Sequence, residues 1–372
     1  MMWKTVCLLA VCGVLACSAP GRAWADTALD YQPFGEELAA FLDGQAGVYG
    51  VYLIDLNSGA SLGYNEKETF HGASTFKVPL NLYLFEQVAA GRVNPDGYLM
   101  YREAHYEEGT GYLHKEEFGT YFRIERLARD SIVYSDNVAT NMLLGYVGRR
   151  NVTAHMRALG GTAVSDQANV TCAADLALYF QGVLEFARRQ PVHGERLLGY
   201  LRNTVHGDRI PQSLPAKIPV AHKTGDWPAQ RSWHDAGIVE HPIRPYILAV
   251  LSKNTPGYVY ACATIREVSR RVYEYQSDPF FHLTVYIDGQ PVELSGALNR
   301  DGRFLVPVRA FVDLLAGYTV RWLPEDRAVL ILDAEGRISA RLTVDSSGLV
   351  LHRGRTYLPS RQAGEILGYT VR

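Results

Sequence analysis

Apolar positions along the chain alternate between two periods, and the changes of period mark the elements. Phe34 to Leu42 carries apolar residues on one helical face and reads as a short amphipathic helix. Val48 to Leu56 is rich in β-branched and aromatic residues and predicts a strand. Asn57-Ser58-Gly59 is a turn signal, and Ser61 to Tyr64 predicts the returning strand of a hairpin. Ser74 to Ala90 predicts a long apolar helix ended by Gly91. Its Pro79 lies near the start, where proline is tolerated best. Helices are expected over 123–132, 137–147, 151–158, 172–189 and 195–203. Lys217 to Lys223, Ala236 to Glu240 and Tyr246 to Lys253 predict three strands, and Ala261 to Tyr275 a closing helix. Strands at both ends with helices between imply one α/β unit whose ends meet in a single sheet.

The texture changes near Gln276 to His282, and the remaining segment repeats itself. Arg303-Phe304-Leu305-Val306-Pro307-Val308-Arg309 is echoed by Arg355-Thr356-Tyr357-Leu358-Pro359-Ser360-Arg361. Each copy leads into an apolar helical stretch and then Gly-Tyr-Thr-Val-Arg, at 317–321 and 368–372. Strands are expected at Thr284 to Ile287 and Val329 to Leu332. The segment reads as a small α+β module built from two copies, with the last unit incomplete.

The length of 372 residues favours two domains. With 47% hydrophobic residues, 20% charged residues and a formal net charge of −2, the composition is that of a globular protein. No long basic run points to nucleic acid. At the N-terminus Lys4 precedes the apolar stretch Thr5 to Cys17, too short to span a bilayer as a helix. Ala23-Trp24-Ala25 reads as a cleavage site, which makes 1–25 a signal peptide. Val14-Leu15-Ala16-Cys17 opens a second route, in which Cys17 is lipidated. Both routes export the protein to the outside or to the cell envelope. Of five cysteines only Cys172 and Cys262 lie in the body, which is no disulfide framework, and no C-x-x-C metal spacing occurs. Neither a metal nor a cofactor is expected, and a monomer is.

The chemistry enters with three short motifs in order: Ser74-Thr75-Phe76-Lys77, Ser135-Asp136-Asn137 and Lys223-Thr224-Gly225. Positions i and i+3 share a helix face, so the Lys77 amine is expected beside the Ser74 hydroxyl. A serine becomes a useful nucleophile when an adjacent base takes its proton. Lys77 is neutral part of the time only if burial or a neighbouring cation such as Lys223 lowers its pKa. Ser135 is placed to relay a proton to a leaving nitrogen, and Asn137 to hold a substrate amide. Asp136 reads as an organiser of the loop, and the whole Tyr134-Ser135-Asp136-Asn137 stretch also suits a helix N-cap. Lys223 would polarise the site, and Thr224 would bind a substrate carboxylate. Gly225 would let a substrate lie against the strand edge. Trp227, Trp233 and His234 are candidates for a substrate wall. His71 reads as packing.

Residues about 28–277 resemble the class A β-lactamase catalytic domain, on these three motifs together with Gly50-Val51-Tyr52-Leu53-Ile54-Asp55 and Gly207-Asp208-Arg209-Ile210. The resemblance implies a β-lactamase-like fold, an antiparallel sheet flanked by helices, over 26–277. It implies acylation of Ser74 by a β-lactam or peptidoglycan-like substrate. It assigns Ser135 and Lys223 as proton relay and electrostatic partner, and the N–H groups of Ser74 and Asp226 as an oxyanion hole. Either Arg209 or Arg231 would bind the substrate carboxylate. One departure stands out. The stretch from Gly160 to Thr171 is too short for the family's loop and lacks the glutamate that activates the deacylating water. Asp166, Gln167 and Asn169 are the nearby polar residues. A site that acylates without fast hydrolysis behaves like a penicillin-binding protein. A more open one would suit a peptidase or esterase, and one without turnover a β-lactam sensor. The segment 283–372 resembles the repeat domain named after the N-terminal domain of copper amine oxidases. Beyond the boundary His282, His352 is its one histidine, which makes no copper site. The segment reads as a stable appendage, or as a module for attachment to the envelope or to a partner.

Overall fold

The computed structural model describes residues 31–368, apart from 243, 278–279, 288–289, 301–302, 316, 345–347 and 353–354. The expected leader and Cys17 lie outside the described residues, as does most of the second Gly-Tyr-Thr-Val-Arg.

The first part opens with helix α1 (Gln32–Asp43) and strands β1 (Val48–Asp55), β2 (Ser61–Tyr64) and β3 (Phe70–His71). Helix α2 (Lys77–Ala89) follows, then β4 (Tyr98–Met100), β5 (Tyr121–Arg123), α3 (Ile124–Val133), α4 (Asn137–Val147) and α5 (Arg149–Ala158). After β6 (Val170–Thr171) come α6 (Ala173–Arg189), α7 (Pro191–Arg202), β7 (Val220–Trp227), β8 (Ser232–Val239), β9 (Tyr246–Lys253) and α8 (Tyr258–Ser277). The sheet runs β2-β1-β9-β8-β7, antiparallel throughout, so the early hairpin and the late strands do meet in one sheet.

Helices cover both faces of that sheet. Along β9, Ile247, Ala249 and Leu251 join the core built by α2, α3, α4, α6 and α7. Tyr246, Leu248 and Val250 point the other way, to α1 and α8. A strand with two buried faces reads as a continuous apolar run, and all six residues are fully buried. Each leucine buried this way contributes about 1.5–3 kcal/mol.

Two strands are displaced or longer than their apolar runs. β7 continues past Lys223 through Thr224 and Asp226, and β8 begins at Ser232 with His234 and Asp235. These polar residues interrupt the pattern, yet both aspartates have internal partners: Asp226 pairs with Arg209, Asp235 with His222 and the Ile210 N–H. Cys172 and Cys262 are both free and buried; Cys172 caps α6, its Sγ accepting from the Asp175 N–H at 3.4 Å.

From Phe280 onward the chain forms β10 (Phe280–Ile287), β11 (Gln290–Arg300), β12 (Arg303–Pro307), α9 (Val308–Asp313), β13 (Thr319–Leu323), β14 (Ala328–Leu332), β15 (Ile338–Thr343), β16 (Val350–His352), β17 (Arg355–Pro359) and α10 (Ser360–Leu367). The sequence repeat is a structural one. β12 and β17 pair antiparallel, and each ends in a proline at the N-cap position of the following helix. Val306, Phe311, Val312, Ile331 and Leu358 close a core drawn from this segment alone. Among the described residues, no helix is long and apolar enough to cross a membrane.

Candidate active site

Ser74 lies in a single 3-10 turn, Ala73–Phe76, that leads directly into α2. Its neighbours pin the turn from both sides. The Gly72 N–H donates to Asn169 O at 2.8 Å, and Asn169 Nδ2 donates to Ala73 O at 2.9 Å. The Ala73 N–H donates to His71 Nδ1 at 3.1 Å. Ala73 sits at φ +46°, a left-handed conformation that costs a non-glycine residue about 1–2 kcal/mol. These hydrogen bonds hold that strain in place and leave Ser74 half-exposed at the helix start.

Lys77 follows within one turn and is buried. Its Nζ donates to Ser135 O at 2.6 Å, to Asn137 Oδ1 at 2.9 Å and to Ser135 Oγ at 3.1 Å. Lys223 approaches from β7, fully buried, and its Nζ donates to the same Ser135 Oγ at 3.1 Å and to Thr224 O at 3.1 Å. The three motifs therefore meet at one hydroxyl. Burial holds the Lys77 amine well below the usual lysine range, and the Lys223 cation lowers it further. The carboxylates of Glu107 and Asp136 oppose the shift. Burial also lowers Lys223, to about 8, against the pull of Asp235 and Asp226.

Ser135 is presented by strained backbone at φ +55°, just before α4. Asp136 is the N-cap of that helix: Oδ1 accepts from the Ala139 N–H at 2.8 Å. Its Oδ2 accepts from the N–H groups of Tyr112 at 2.7 Å and Leu113 at 2.9 Å. Asp136 thus organises the loop, and the cap reading and the site reading of this motif hold together. Gly111 at φ +91° lies so close that an added Cβ would fall 2.2 Å from Asp136 Oδ2. Thr110 Oγ1 donates to Ser135 O at 2.6 Å. No reading of the sequence had singled out the segment 101–120. Its one sequence signal is the pair of glycines around Thr110.

Along β7, Gly225 packs against the nucleophile turn, with an added Cβ 3.0 Å from Thr75 Cγ2 and 3.2 Å from Ala73 Cβ. The glycine lets the strand approach the turn, ahead of any role toward a substrate. Trp227 is 40% exposed and stacks on His71, ring centroids 4.0 Å apart at 17°. Trp233 and His234 do not share that wall. Both are buried, because β8 is an inner strand covered by helices. The His234 ring accepts from the Ser252 N–H at Nδ1 and donates from Nε2 to His71 O. Burial lowers its pKa to about 3.

The two arginines differ. Arg209 is 2% exposed, with its guanidinium committed to His234 O at 2.5 Å and Asp226 Oδ1 at 2.5 Å. Arg231 is exposed, at φ +45° in the turn from β7 to β8, and its carbonyl accepts from the Thr255 hydroxyl at 3.0 Å.

The loop between α5 and α6 offers no carboxylate to the site. Asp166 accepts from the Thr153 hydroxyl and from Arg157 Nη1, both on α5. Those two partners hold its carboxyl below the usual range, which weakens it as a base. Asn169 is the loop residue that reaches the nucleophile turn. Among the described residues no group of acids, histidines and cysteines could hold a metal ion.

Residues 33–276 match the model of the beta-lactamase enzyme family. Beta-lactamase L2 of Stenotrophomonas maltophilia is 28% identical over 229 residues, 57% of this chain and 73% of its own length. Beta-lactamase AST-1 of Nocardia asteroides is 29% identical over 230 residues, 55% of this chain and 70% of its own length. Among solved structures, PBP-A superimposes with a TM-score of 0.62 at 28% identity, covering 66% of this chain and 96% of that one. A PBP-A mutant solved as an acyl-enzyme complex with penicillin G gives 0.61 at 28% identity, over 65% and 95%. An ancestral class A beta-lactamase gives 0.59 at 25% identity, over 65% and 99%.

Proposed function

The chain belongs to the beta-lactamase enzyme family, and on that premise we propose that it opens β-lactam amides through an acyl-enzyme on Ser74. The observation that carries this reading is the sharing of Ser135 Oγ by Lys77 and Lys223. Neutral Lys77 takes the Ser74 proton as Oγ attacks the carbonyl carbon. The N–H groups of Ser74 and Asp226 receive the developing oxyanion, the term that usually contributes most to such a reaction. Ser135, polarised by Lys223, passes its proton to the leaving nitrogen and takes the one Lys77 holds across 3.1 Å, and the C–N bond breaks. Asn137 and Thr224 hold the substrate's amide and polar ends. Of the two arginines, Arg209 already has carboxylate and carbonyl partners. Arg231 is the exposed one, and a carboxylate it bound would lie at the β7–β8 turn, beyond the Thr224–Asp226 position.

A second reading rests on the loop. With no glutamate between α5 and α6 and Asp166 turned to α5, the water that releases the acyl group has no strong base there. This supports slow deacylation, as in a penicillin-binding or D-Ala-D-Ala peptidase-like enzyme or an esterase, or in a β-lactam-trapping envelope protein. A chromogenic cephalosporin followed by colour and intact mass separates the two readings. Sustained colour with little adduct supports turnover, and one burst with a lasting adduct supports trapping. Failure to give either colour or adduct would refute both.

We further propose that 1–25 directs export, by cleavage or by lipidation at Cys17, and that 26–277 and 283–372 are separate domains. The second resembles the copper amine oxidase N-terminal-like repeat domain. Its own core supports independence, and its proposed role is attachment to the cell envelope.

A further inference from the structure

On strand β7, Thr224 and Asp226 are two residues apart, so their side chains leave the same face of the strand. The Asp226 side chain is 45% exposed. Behind it lies the buried Arg209. Nη2 donates to Asp226 Oδ1, and Nη1 donates to His234 O and lies 3.4 Å from Gly225 O. The Tyr258 ring covers the guanidinium at 5.6 Å, and Nε lies 3.8 Å from the Asp208 carboxylate. A buried guanidinium beside a reactive serine is a strong seat for a substrate carboxylate, because its fork of donors matches two oxygens. Here the chain fills that seat with a carboxylate of its own. A substrate carboxylate drawn toward Thr224 meets Asp226 as a like charge at a half-exposed position, where such a contact is only partly screened.

We propose that Asp226 sets the charge class of substrate, so that the group lying against Thr224 and Asp226 is uncharged or cationic and a carboxylate is disfavoured. The inference rests on the proposed Ser74 acylation and narrows its substrate.

The test compares a chromogenic cephalosporin with its methyl ester, which differ in the carboxylate alone. The readout is the ratio of their second-order acylation rates, acid over ester, with the adduct verified by mass. Asp226→Asn raises this ratio about tenfold, the scale of one like-charge contact at a half-exposed site. Asp226→Glu keeps the charge and leaves the ratio within about twofold of wild type. In the wild type, added salt speeds the acid relative to the ester. That arm needs no variant and still decides if Asp226→Asn fails to fold. An unchanged or lower ratio in Asp226→Asn, or salt slowing the acid relative to the ester, overturns the inference while acylation stands. No Ser74 adduct from either compound, in wild type or variant, overturns the hydrolase reading and this inference with it.

Discussion

Lys77 and Lys223 donate to the same oxygen, Ser135 Oγ, each across 3.1 Å. Two amines on one hydroxyl inside a buried pocket do not both hold a proton easily, and the Lys223 cation lowers the preference of Lys77 for charge. The arrangement separates their tasks. Lys77, one turn after Ser74, is lowered further than Lys223, so it is the amine that more readily gives up its proton and Lys223 the one that more readily keeps its charge.

That division predicts a bell-shaped pH profile for acylation. The acid limb falls where Lys77 gains a proton, well below the ordinary lysine range. The alkaline limb falls near pH 8, where Lys223 loses its charge among Asp235, Asp226 and Arg209. Lys223→Arg cannot lose its charge in this range, so a variant that still acylates has no limb near pH 8. An alkaline limb that stays near pH 8 in Lys223→Arg would assign it to another group.

His234 predicts how the fold responds to acid. Its folded pKa of about 3 lies below the unfolded 6.5, so the unfolded chain binds the extra proton between those values. Stability is therefore full above pH 6.5 and is lost as pH falls toward 3, by roughly 3–5 kcal/mol. His234→Gln can accept from Ser252 N–H and donate to His71 O without titrating. Denaturant unfolding from pH 7 to 4 should show a shallower loss for this variant than for wild type. Equal slopes would refute the assignment.

Asp136 predicts a structural cost. Asp136→Ala removes the α4 cap and the two N–H bonds that fasten the 110–113 segment. The expected loss is about 2–4 kcal/mol in unfolding free energy. A loss under about 0.5 kcal/mol, the range of an ordinary surface change, would contradict that role.

Asp166 predicts a negative result. Its carboxyl is held by Thr153 and Arg157, so Asp166→Asn leaves the deacylation rate of a penicillin adduct within about twofold, an ordinary surface effect. A drop of about a hundredfold, the size of a lost general base, would make it the water-activating group.

The parts of this molecule legible in its sequence are those whose signal is local. The β1–β2 hairpin, α2 with its lysine one turn after the serine, and the β12–α9 and β17–α10 repeat follow from period and turn residues, although the helix expected from Ser74 begins as a 3-10 turn and becomes α-helical at Lys77. The three motifs pointed to one pocket because their spacing and order are chemically improbable by chance. What was hidden depends on contacts distant in sequence. Arg209 and Asp226 are 17 positions apart, and nothing local tells that they neutralise each other. The extra length of β7 and β8 was masked by polar residues whose partners lie on other elements. Trp233 and His234 follow the Lys223-Thr224-Gly225 strand closely in sequence, and nothing local tells that they lie on an inner strand with both faces covered.

The most direct measurement labels the purified protein with a fluorescent penicillin over hours and maps the modified peptide by mass. One penicillin added to the peptide carrying Ser74, with no label in Ser74→Ala, is the predicted result. Label that persists in Ser74→Ala, or that maps to another residue, would contradict the assignment of the nucleophile.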